Sequence, residues 1–443
     1  MKTLIITSFH SLVSRNILHT GVLPFLLKRG LRIVLVVQST KVDYFKEMFS
    51  QPEIKVVGVT VPHLRFEKLF TLVSMSIVGV ENHKVWELKT QRKYVRFYFA
   101  IALNRLSRNA FWLHRLIRIL SKSYLRTQVF DEMFSKYEPD LICTTDSFQR
   151  ADAMLILTAK ARGIKTLGMI RSWDNATTKG VLLSIPDRLL VPNPILKHEL
   201  AELHRIPEEK VVVTGIPHYD AIINSRTLGR EEFYTQMGLD PRKKTILFAP
   251  GGKILYEHDD AILANLRALK DARVFDKPVQ FIVRFPPSDV VDISPVANDP
   301  DFIIDKPGVA VTGKRKEAEL DRNENEHLNA SLTYSDIVIT LAPTMIIDAA
   351  TFDLPTVVWA FDPIKNARDP IEKFARYVHL KKLFAKNVCS LAHSKNHFVE
   401  LVNGYLKNPS LNKEKRDRIV DEYVYRLDGG SARRVAESIF DVL

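Results

Sequence analysis

The segment Ser335–Trp359, SDIVITLAPTMIIDAATFDLPTVVW, constrains the fold more than any other part of the chain. Ile337–Ile339 is a short β-branched run, typical of a strand that is covered on both faces. Met345–Phe352 is apolar nearly all round and predicts a buried helix, and Thr356–Trp359 predicts a second buried strand. A strand, loop, helix and strand in this order place a helix N-terminus at the carboxyl edge of a parallel sheet, where phosphates bind.

The loop and helix of this segment carry two polar residues of interest. Thr344 offers an N-cap hydroxyl to the helix. Asp348 is the only charged residue of the strand, loop and helix. Burying a lone carboxylate costs roughly several kcal/mol unless it is paired or hydrogen-bonded, and a ribose hydroxyl pair would satisfy it. The alternative is an Asp at the surface edge, favoured by the helix dipole.

The segment resembles the nucleotide-binding element of GT-B glycosyltransferases and of their relatives, the UDP-GlcNAc 2-epimerases and the CDP-glycerol glycerophosphotransferases. The matching residues are the loop Ala342-Pro343-Thr344 and the acidic Asp348. The resemblance implies that Pro343, Thr344 and Asp348 hold the diphosphate and ribose of a nucleotide donor. In those families a Glu is commoner at the acidic position, and a Gly usually stands where Asp353 ends the helix.

The start of the chain predicts half of a Rossmann-type sheet. Apolar runs and helical spacing alternate as strand, helix, strand, helix and strand: Thr3–Thr7, Ser14–Lys28, Leu31–Val37, Val42–Phe49 and Ile54–Val59. No G-x-G-x-x-G follows the first strand, so an NAD site of the usual kind is not expected. His10 follows the first strand and is a candidate for proton transfer, although a lone His is more often structural.

Charge and composition bound the partners and the compartment. The formal net charge of +13 predicts an anionic partner, which is nucleic acid, an anionic membrane or a phosphorylated substrate. No apolar run long enough for a membrane span and no signal peptide are evident. Two cysteines, Cys143 and Cys389, cannot form a disulfide framework, so the expected compartment is the cytoplasm.

Residues 61–137 interrupt the alternation with a basic, aromatic-rich helical insertion. Eleven basic residues are opposed only by Glu87 between positions 84 and 126: Lys84, Lys89, Arg92, Lys93, Arg96, Arg105, Arg108, Arg115, Arg118, Lys122 and Arg126. The insertion is either a solvated helical hairpin or a surface for anionic lipid headgroups. Nucleic acid is not expected, because no RNP, zinc-finger or helix-turn-helix pattern accompanies the charge.

Polar residues of many kinds follow the predicted strand Lys165–Ile170, in the string RSWDNATTKG. Side chains at the carboxyl edge of a parallel sheet commonly bind ligands. We expect Asp174 to act as a base and the cations Arg171 and Lys179 to hold phosphates. The remaining polar residues, Asn175 and Thr178, are predicted to orient hydroxyl groups. An Asx turn would explain Asp174 and Asn175 but not the whole string.

This string is similar to one in bacterial surface-polysaccharide glycosyltransferases of the GT-B type. The similarity extends over residues 186–220 to a G-x-P-x-x-D ending. By that resemblance the segment closes the first domain, and Gly215 and Pro217 approach the donor.

The second half of the chain predicts another Rossmann-like unit. Thr245–Ala249 is a buried strand followed by the turn Pro250-Gly-Gly-Lys253, in which the backbone of Gly251 and Gly252 can approach a phosphate and Lys253 adds charge. Arg284 ends the next strand, and the turn Arg284-Phe-Pro-Pro-Ser288 resembles the Arg/His-Pro turn of the nucleotide cleft in the families named. A rigid turn is the alternative. The final D-G-G-S-A-R-R stretch resembles the closing element of CDP-glycerol transferases.

Together these features predict an α/β protein of two Rossmann-like domains facing across a cleft (GT-B). The acceptor domain is expected at 1–224, with the insertion at 61–137, and the donor domain at 225–443. The last helix of the donor domain is expected to pack back on the acceptor domain. The predicted function is sugar transfer from a nucleotide-sugar donor to a polysaccharide or lipid-linked acceptor. Metal and cofactor are not expected, and the base is Asp174, Asp146 or His10.

Three alternatives remain open. Within enzymes they are glycerophosphate transfer from CDP-glycerol and a UDP-GlcNAc 2-epimerase-like reaction. The third is a basic membrane- or RNA-binding protein without catalysis, which the mixture of polar groups after Ile170 disfavours. The expected location is the cytoplasmic face of the membrane, to which the protein binds peripherally.

Overall fold

The computed structural model describes residues 1–80, 83–108, 110, 112–224, 228–253, 255–311, 313, 318–321, 323–341, 343–365, 367 and 370–443. The chain divides into two compact units. The first comprises Met1–Asp220 together with Asp428–Leu443, and the second comprises Ala221–Leu427. The last helix therefore belongs to the first unit.

Two parallel sheets organise these units. The strands in chain order are β1 (Thr3–Ser8), β2 (Arg32–Gln38), β3 (Ile54–Val59), β4 (Leu141–Thr144), β5 (Lys165–Met169), β6 (Arg188–Val191), β7 (Val211–Val213), β8 (Lys244–Ala249), β9 (Val279–Arg284), β10 (Phe302–Asp305), β11 (Ile337–Thr340), β12 (Thr356–Trp359) and β13 (Ser390–Ala392).

Helices connect the strands. They are α1 (Ser11–Val13), α2 (Val22–Lys28), α3 (Val42–Met48), α4 (Glu67–Ile77), α5 (His83–Thr90), α6 (Tyr94–Ser107), α7 (Trp112–Tyr124), α8 (Asp131–Tyr137), α9 (Arg150–Ala161), α10 (Asn175–Thr178), α11 (Pro194–His204), α12 (Asp220–Asn224), α13 (Arg230–Met237), α14 (Asp259–Asp271), α15 (Asn323–Thr333), α16 (Pro343–Ala350), α17 (Val378–Ala385), α18 (Lys395–Lys407), α19 (Lys413–Ile419) and α20 (Ser431–Phe440).

The sheet of the first unit has the order β3-β2-β1-β4-β5-β6-β7, and its pairs are parallel. Ile5 of β1 lies opposite Val34 of β2 on one side and Ile142 of β4 on the other. Chain order changes direction between β1 and β4, so this is the topological switch point of the sheet. Helices α4 to α8 lie between β3 and β4 in the sequence.

The last helix completes the core of the first unit. Val435 and Ile439 of α20 are buried in the same apolar cluster as Leu4 of β1. The N-terminus of α20 is capped by Asp220, whose two carboxylate oxygens accept the N–H groups of Ser431 at 3.0 Å and of the next residue at 2.7 Å. A carboxylate at this end also interacts favourably with the helix dipole.

The sheet of the second unit has the order β10-β9-β8-β11-β12-β13 and is also parallel. Ile337 of β11 lies opposite Ile246 of β8, and chain order changes direction between these two strands. The second switch point is therefore flanked by the turn after β8 and by the start of α16.

Two predicted helices differ from the observed ones. The helix predicted at Ser14–Lys28 is broken into a π-helical turn at Ser14–Leu18 and α2. Pro24 explains the break, because its ring would clash with the carbonyl group four residues earlier in a continuous helix and is tolerated only in a first turn. Helix α16 begins at Pro343, so Thr344 is its second residue and not its N-cap.

The described part of the chain contains no helix that is both long and apolar enough to cross a bilayer.

Candidate functional site

The carboxyl edge of the first sheet collects the polar residues that the sequence analysis selected. His10 follows β1, Asp146 follows β4, and Arg171–Lys179 follows β5. Because β1 and β4 are adjacent and β5 is next to β4, these segments meet at one edge beside the switch point.

Asp146 is held by an arginine. It is 1% exposed, and its Oδ2 accepts a hydrogen bond from Nε of Arg171 at 2.8 Å. Its backbone N–H donates to Oδ2 of Asp152 at 2.7 Å. Burial, with the Asp146 charge as a further contribution, raises the pKa of Asp152 to about 8. Asp146 thus acts as the counter-charge of Arg171 and is poorly placed to take a proton from a substrate.

His10 is a hydrogen-bond acceptor within the protein. Its Nδ1 accepts the N–H of Leu12 at 3.1 Å, which leaves Nε2 of the neutral ring as a donor. Burial lowers the pKa of His10 to about 3, and the charges of Arg171, Lys179 and Lys41 add to the shift in that order. A neutral ring with this tautomer can donate a hydrogen bond to a substrate oxygen but is a poor general base.

Asp174 has the arrangement that a base requires. The hydroxyl of Ser172 donates to its Oδ1, and that of Thr178 donates to its Oδ2 at 2.9 Å. The side chain is half-buried at the N-terminus of the short helix α10, so a substrate hydroxyl can reach a carboxylate of fixed orientation. The neighbouring Asn175 is buried. Among the three candidate bases, Asp174 fits proton abstraction best.

The site around Asp174 also contains a lysine from another helix. Lys84 on α5 interacts electrostatically with both Lys179 and Asp174. Burial lowers the pKa of Lys84, and the charge of Lys179 lowers it further. Sequence reasoning counted Lys84 within the basic insertion and missed it as a site residue, since nothing in the local pattern separates it from the other cations there.

The G-x-P-x-x-D segment has an internal role in the structure. Pro217 starts a 3₁₀ turn, and Gly215 lies where a Cβ would come within 2.6 Å of Oγ of Ser431 at the start of α20. Gly215 also has a φ of +79°, which favours glycine. Both residues therefore shape the contact between α20 and the turn after β7, and a role toward a donor stays a prediction.

The glycine turn of the second unit is held by a carboxylate. Asp259 at the start of α14 accepts the N–H of Gly251 at 3.1 Å and that of Gly252 at 2.7 Å. The two N–H groups that the sequence analysis assigned to a phosphate thus already have a partner. Burial raises the pKa of Asp259 to about 7, against these two hydrogen bonds. Lys253, next in the turn, is exposed and available to a ligand.

We expect Gly252→Ala to destabilise the second unit by about 1–3 kcal/mol. Gly252 has a φ of +74°, and a Cβ there would lie 2.5 Å from Oδ2 of Asp289. Chemical denaturation measures the loss. Gly229→Ala is the matched control, because a Cβ at Gly229 meets nothing within 4 Å. Equal stability of the two variants would contradict the strain assigned to this turn.

Arg284 is engaged by acidic residues. Its guanidinium pairs with Asp305 and donates to Glu324 at 3.0 Å, and its side chain is 7% exposed. Burial alone would raise the pKa of the Asp305 carboxyl. The nearby charge of Arg284 and, to a smaller extent, the interaction with His327 outweigh this effect and lower that pKa to about 2. This cluster fixes the ends of β9 and β10 to α15, so the charge of Arg284 is already balanced within the second unit, and a contact with a nucleotide stays a prediction.

The start of α16 carries the remaining donor candidates. Pro343 is its first residue, and Thr344 is exposed in its first turn. Asp348 lies one turn further and is 3% exposed, so only a small part of its carboxylate can face a ligand. Ala342 lies outside the described residues.

A comparison with family models identifies the chain's relatives. Residues 148–441, more than half of the chain, match the family model of CDP-glycerol:poly(glycerophosphate) glycerophosphotransferases. The chain belongs to this family. The match includes the RSWDNATTKG string and the whole second unit. The glycerophosphotransferase family consists of transferases, so the protein is an enzyme of that class. No curated protein sequence matches the chain.

Solved structures show the same fold at low sequence identity. The MnaA–UDP structure from S. aureus has a TM-score of 0.56 at 12% identity, covering 100% of this chain and 98% of that one. A variant of the wall teichoic acid polymerase TagF has a TM-score of 0.52 at 12% identity, and the match covers 99% of this chain and 88% of that one. The calicheamicin glycosyltransferase CalG4 has a TM-score of 0.53 at 13% identity, and the match covers 100% of this chain and 98% of that one. This member of the glycerophosphotransferase family therefore has the GT-B type of α/β fold.

Proposed function

We propose that this enzyme transfers a sugar from a nucleotide-diphosphate or nucleotide-monophosphate donor to a hydroxyl of a polysaccharide or lipid-linked acceptor, in the synthesis of a cell-surface glycan. The observation that carries the proposal is Asp174, which is oriented by two hydroxyls and interacts with the charge of Lys84 at the carboxyl edge of the first sheet. The first unit would bind the acceptor and the second unit the donor.

Each step has a residue to perform it. Asp174 takes the proton of the acceptor hydroxyl, whose oxygen attacks the anomeric carbon of the donor sugar. The bond from that carbon to the phosphate oxygen breaks, and the nucleotide leaves with its electron pair. Lys253 and the N-terminus of α16 would stabilise the negative charge of the leaving group. The proposal uses no metal or cofactor.

Glycerophosphate transfer is the second candidate, and the match to the family model favours it. In that reaction the acceptor oxygen attacks the phosphorus atom that carries glycerol in CDP-glycerol. The phosphoanhydride bond breaks, and CMP leaves. Asp174 would serve as the base in the same way, with Arg171 and Lys179 beside it to hold phosphate groups of the acceptor.

A donor screen tests both candidates. Melting temperatures are measured with UDP-, GDP- and CMP-linked sugars and with CDP-glycerol, because a ligand that binds the folded state raises the melting temperature by mass action. Donors that stabilise the protein are then assayed for nucleotide release with an added acceptor. Stabilisation by a nucleotide sugar supports sugar transfer, and stabilisation by CDP-glycerol alone supports glycerophosphate transfer. If none of the donors raised the melting temperature, the proposed function would be refuted.

We further propose that the protein binds peripherally to the cytoplasmic face of an anionic membrane. Helices α6 and α7 support this, since each carries a row of exposed apolar side chains at helical spacing, with Val95, Phe99 and Leu106 on α6. Arg96 and Arg105 lie about a quarter turn to either side of that row. Lipid-facing helices have this combination of apolar rows and flanking cations. Arg118 instead donates to two backbone carbonyls inside the unit.

We expect the unaltered protein to co-sediment with phosphatidylglycerol vesicles and not with phosphatidylcholine vesicles. Removing two cations in Arg96→Ala/Arg105→Ala should weaken this binding about 30-fold, at about 1 kcal/mol for each charge. High salt should weaken it too, because the Debye length falls to about 3 Å at 1 M. Lys28→Ala/Lys46→Ala, which removes two exposed cations from α2 and α3, is the control and should bind as before. Equal pelleting with both lipids, or with neither, would refute the attachment.

A further inference from the structure

One cavity of the first unit lies away from the candidate site. It measures about 550 Å³ and is bordered by the end of α7, the turn that follows it, and the last turns of α9. Lys122, Arg126, Lys160 and Arg162 line it. This volume is in the range that accommodates small organic ligands.

The fold separates this cavity from the site around Asp174. Helix α9 begins shortly after Asp146, at the carboxyl edge of the sheet, and leads into β5 at the opposite edge. Its 12 residues span about 18 Å. The cavity lies at the far end of this helix, so it is a second site and not an extension of the first.

The charges of the cavity are only partly neutralised. Arg162 pairs with Asp131 at 2.7 Å, and Lys160 pairs with Asp187 at 3.0 Å. The side chains of Lys122 and Arg126 have no hydrogen bond or ion pair with the described residues. Two exposed cations without internal partners therefore face one cavity.

The dipoles of α7 and α9 explain the presence of two of these cations. Lys122 and Lys160 lie in the last turns of their helices, where cations are favoured. Arg126 lies beyond the end of α7, in a turn, and no dipole explains its presence at the same cavity. Thr127 and Gln128, which follow it, add a hydroxyl and an amide to the lining. Cations combined with neutral hydrogen-bonding groups suit a phosphate that carries a polyol.

We propose that this cavity binds a phosphate ester, with Lys122 and Arg126 contacting the phosphate and Thr127 and Gln128 contacting the hydroxyls of the esterified polyol. The ester could be a soluble glycerol phosphate or the headgroup of phosphatidylglycerol. The soluble form goes beyond the transfer reaction and does not depend on it. The lipid form rests on the membrane attachment proposed above, since the cavity lies at the end of α7.

Isothermal titration with sn-glycerol 3-phosphate tests the site directly. The unaltered protein should bind at millimolar ligand, and Lys122→Ala/Arg126→Ala should lose at least about tenfold in affinity. Both substituted residues are exposed, so the fold should persist, and the melting temperature verifies this. Lys28→Ala/Lys46→Ala removes the same charge elsewhere in the unit and should bind like the unaltered protein.

Competition identifies the source of the ligand. Displacement of the glycerol phosphate by phosphatidylglycerol vesicles, but not by phosphatidylcholine vesicles, assigns the site to the lipid headgroup. Titration unaffected by either vesicle assigns it to a soluble ester. No binding by the unaltered protein, or equal loss in the two double variants, overturns the proposal. Nucleotide release in solution does not use this cavity, so the outcome is separate from that of the donor screen.

Discussion

Asp174→Asn should lower the turnover number by about 10²–10⁴-fold while donor binding is retained. The amide keeps the shape of the carboxylate but cannot take the proton of the acceptor hydroxyl. The hydroxyls of Ser172 and Thr178 donate to different carboxylate oxygens, so one of them can rotate to accept from the amide NH₂ while the other still donates to the amide oxygen, and the local structure should persist. Initial rates at saturating donor, together with the donor-induced shift of the melting temperature, measure the two effects separately.

Asp43→Asn is the matched control for this substitution. Asp43 is an exposed carboxylate on α3 in the same unit, and its loss should leave turnover unchanged. If Asp174→Asn also left turnover unchanged, the base would have to be Asp146 or His10. The first would then have to release Arg171, and the second would have to release its bond from Leu12.

Asp348→Asn should abolish the rise in melting temperature that a nucleotide donor produces. The part of the carboxylate that can face a ligand is an acceptor for a ribose hydroxyl, whereas the neutral amide has no negative charge and can present its NH₂ donor there instead. A ligand present at about 100 times its dissociation constant stabilises a protein by about 2.7 kcal/mol, so the loss is large enough to measure. The shift is taken relative to the melting temperature of each variant without ligand, because Asp348 is buried and its replacement also affects stability.

Asp353→Asn controls for this second effect. Asp353 follows the same helix and pairs with Arg416 at 2.7 Å, so its substitution should lower stability while the nucleotide-induced shift remains. An intact shift in Asp348→Asn would refute the ribose assignment and leave Asp348 as a structural carboxylate of α16.

The positions of the strands were predictable from the sequence for a simple physical reason. A central strand of a parallel sheet is covered on both faces, so its sequence is a short run of β-branched residues between polar turns. Ile337–Ile339 and Thr356–Trp359 have this pattern, and β11 and β12 lie there. The alternation of strands and helices gave the two Rossmann-like sheets by the same reasoning.

The partners of the polar residues were not predictable in the same way. Arg284 ends β9, and its partner Asp305 ends β10, directly opposite in the register of the sheet. A single sequence shows that each residue ends a strand but not that these strands are neighbours. The role of Asp259 was unpredictable for a similar reason. Its carboxylate accepts the N–H groups of Gly251 and Gly252 only because α14 packs beside the glycine turn, and the sequence does not show that packing.

The capping of α20 by Asp220 has a consequence for how the protein folds during synthesis. The two partners are separated by 211 residues, and the intervening chain forms the second unit. On the ribosome, Ala221–Leu427 is complete and can collapse while the first unit still lacks Val435 and Ile439 of its core. The apolar groove that α20 fills therefore stays open to water until α20 itself has been synthesised, and over that interval the exposed apolar surface makes the nascent first unit prone to aggregation.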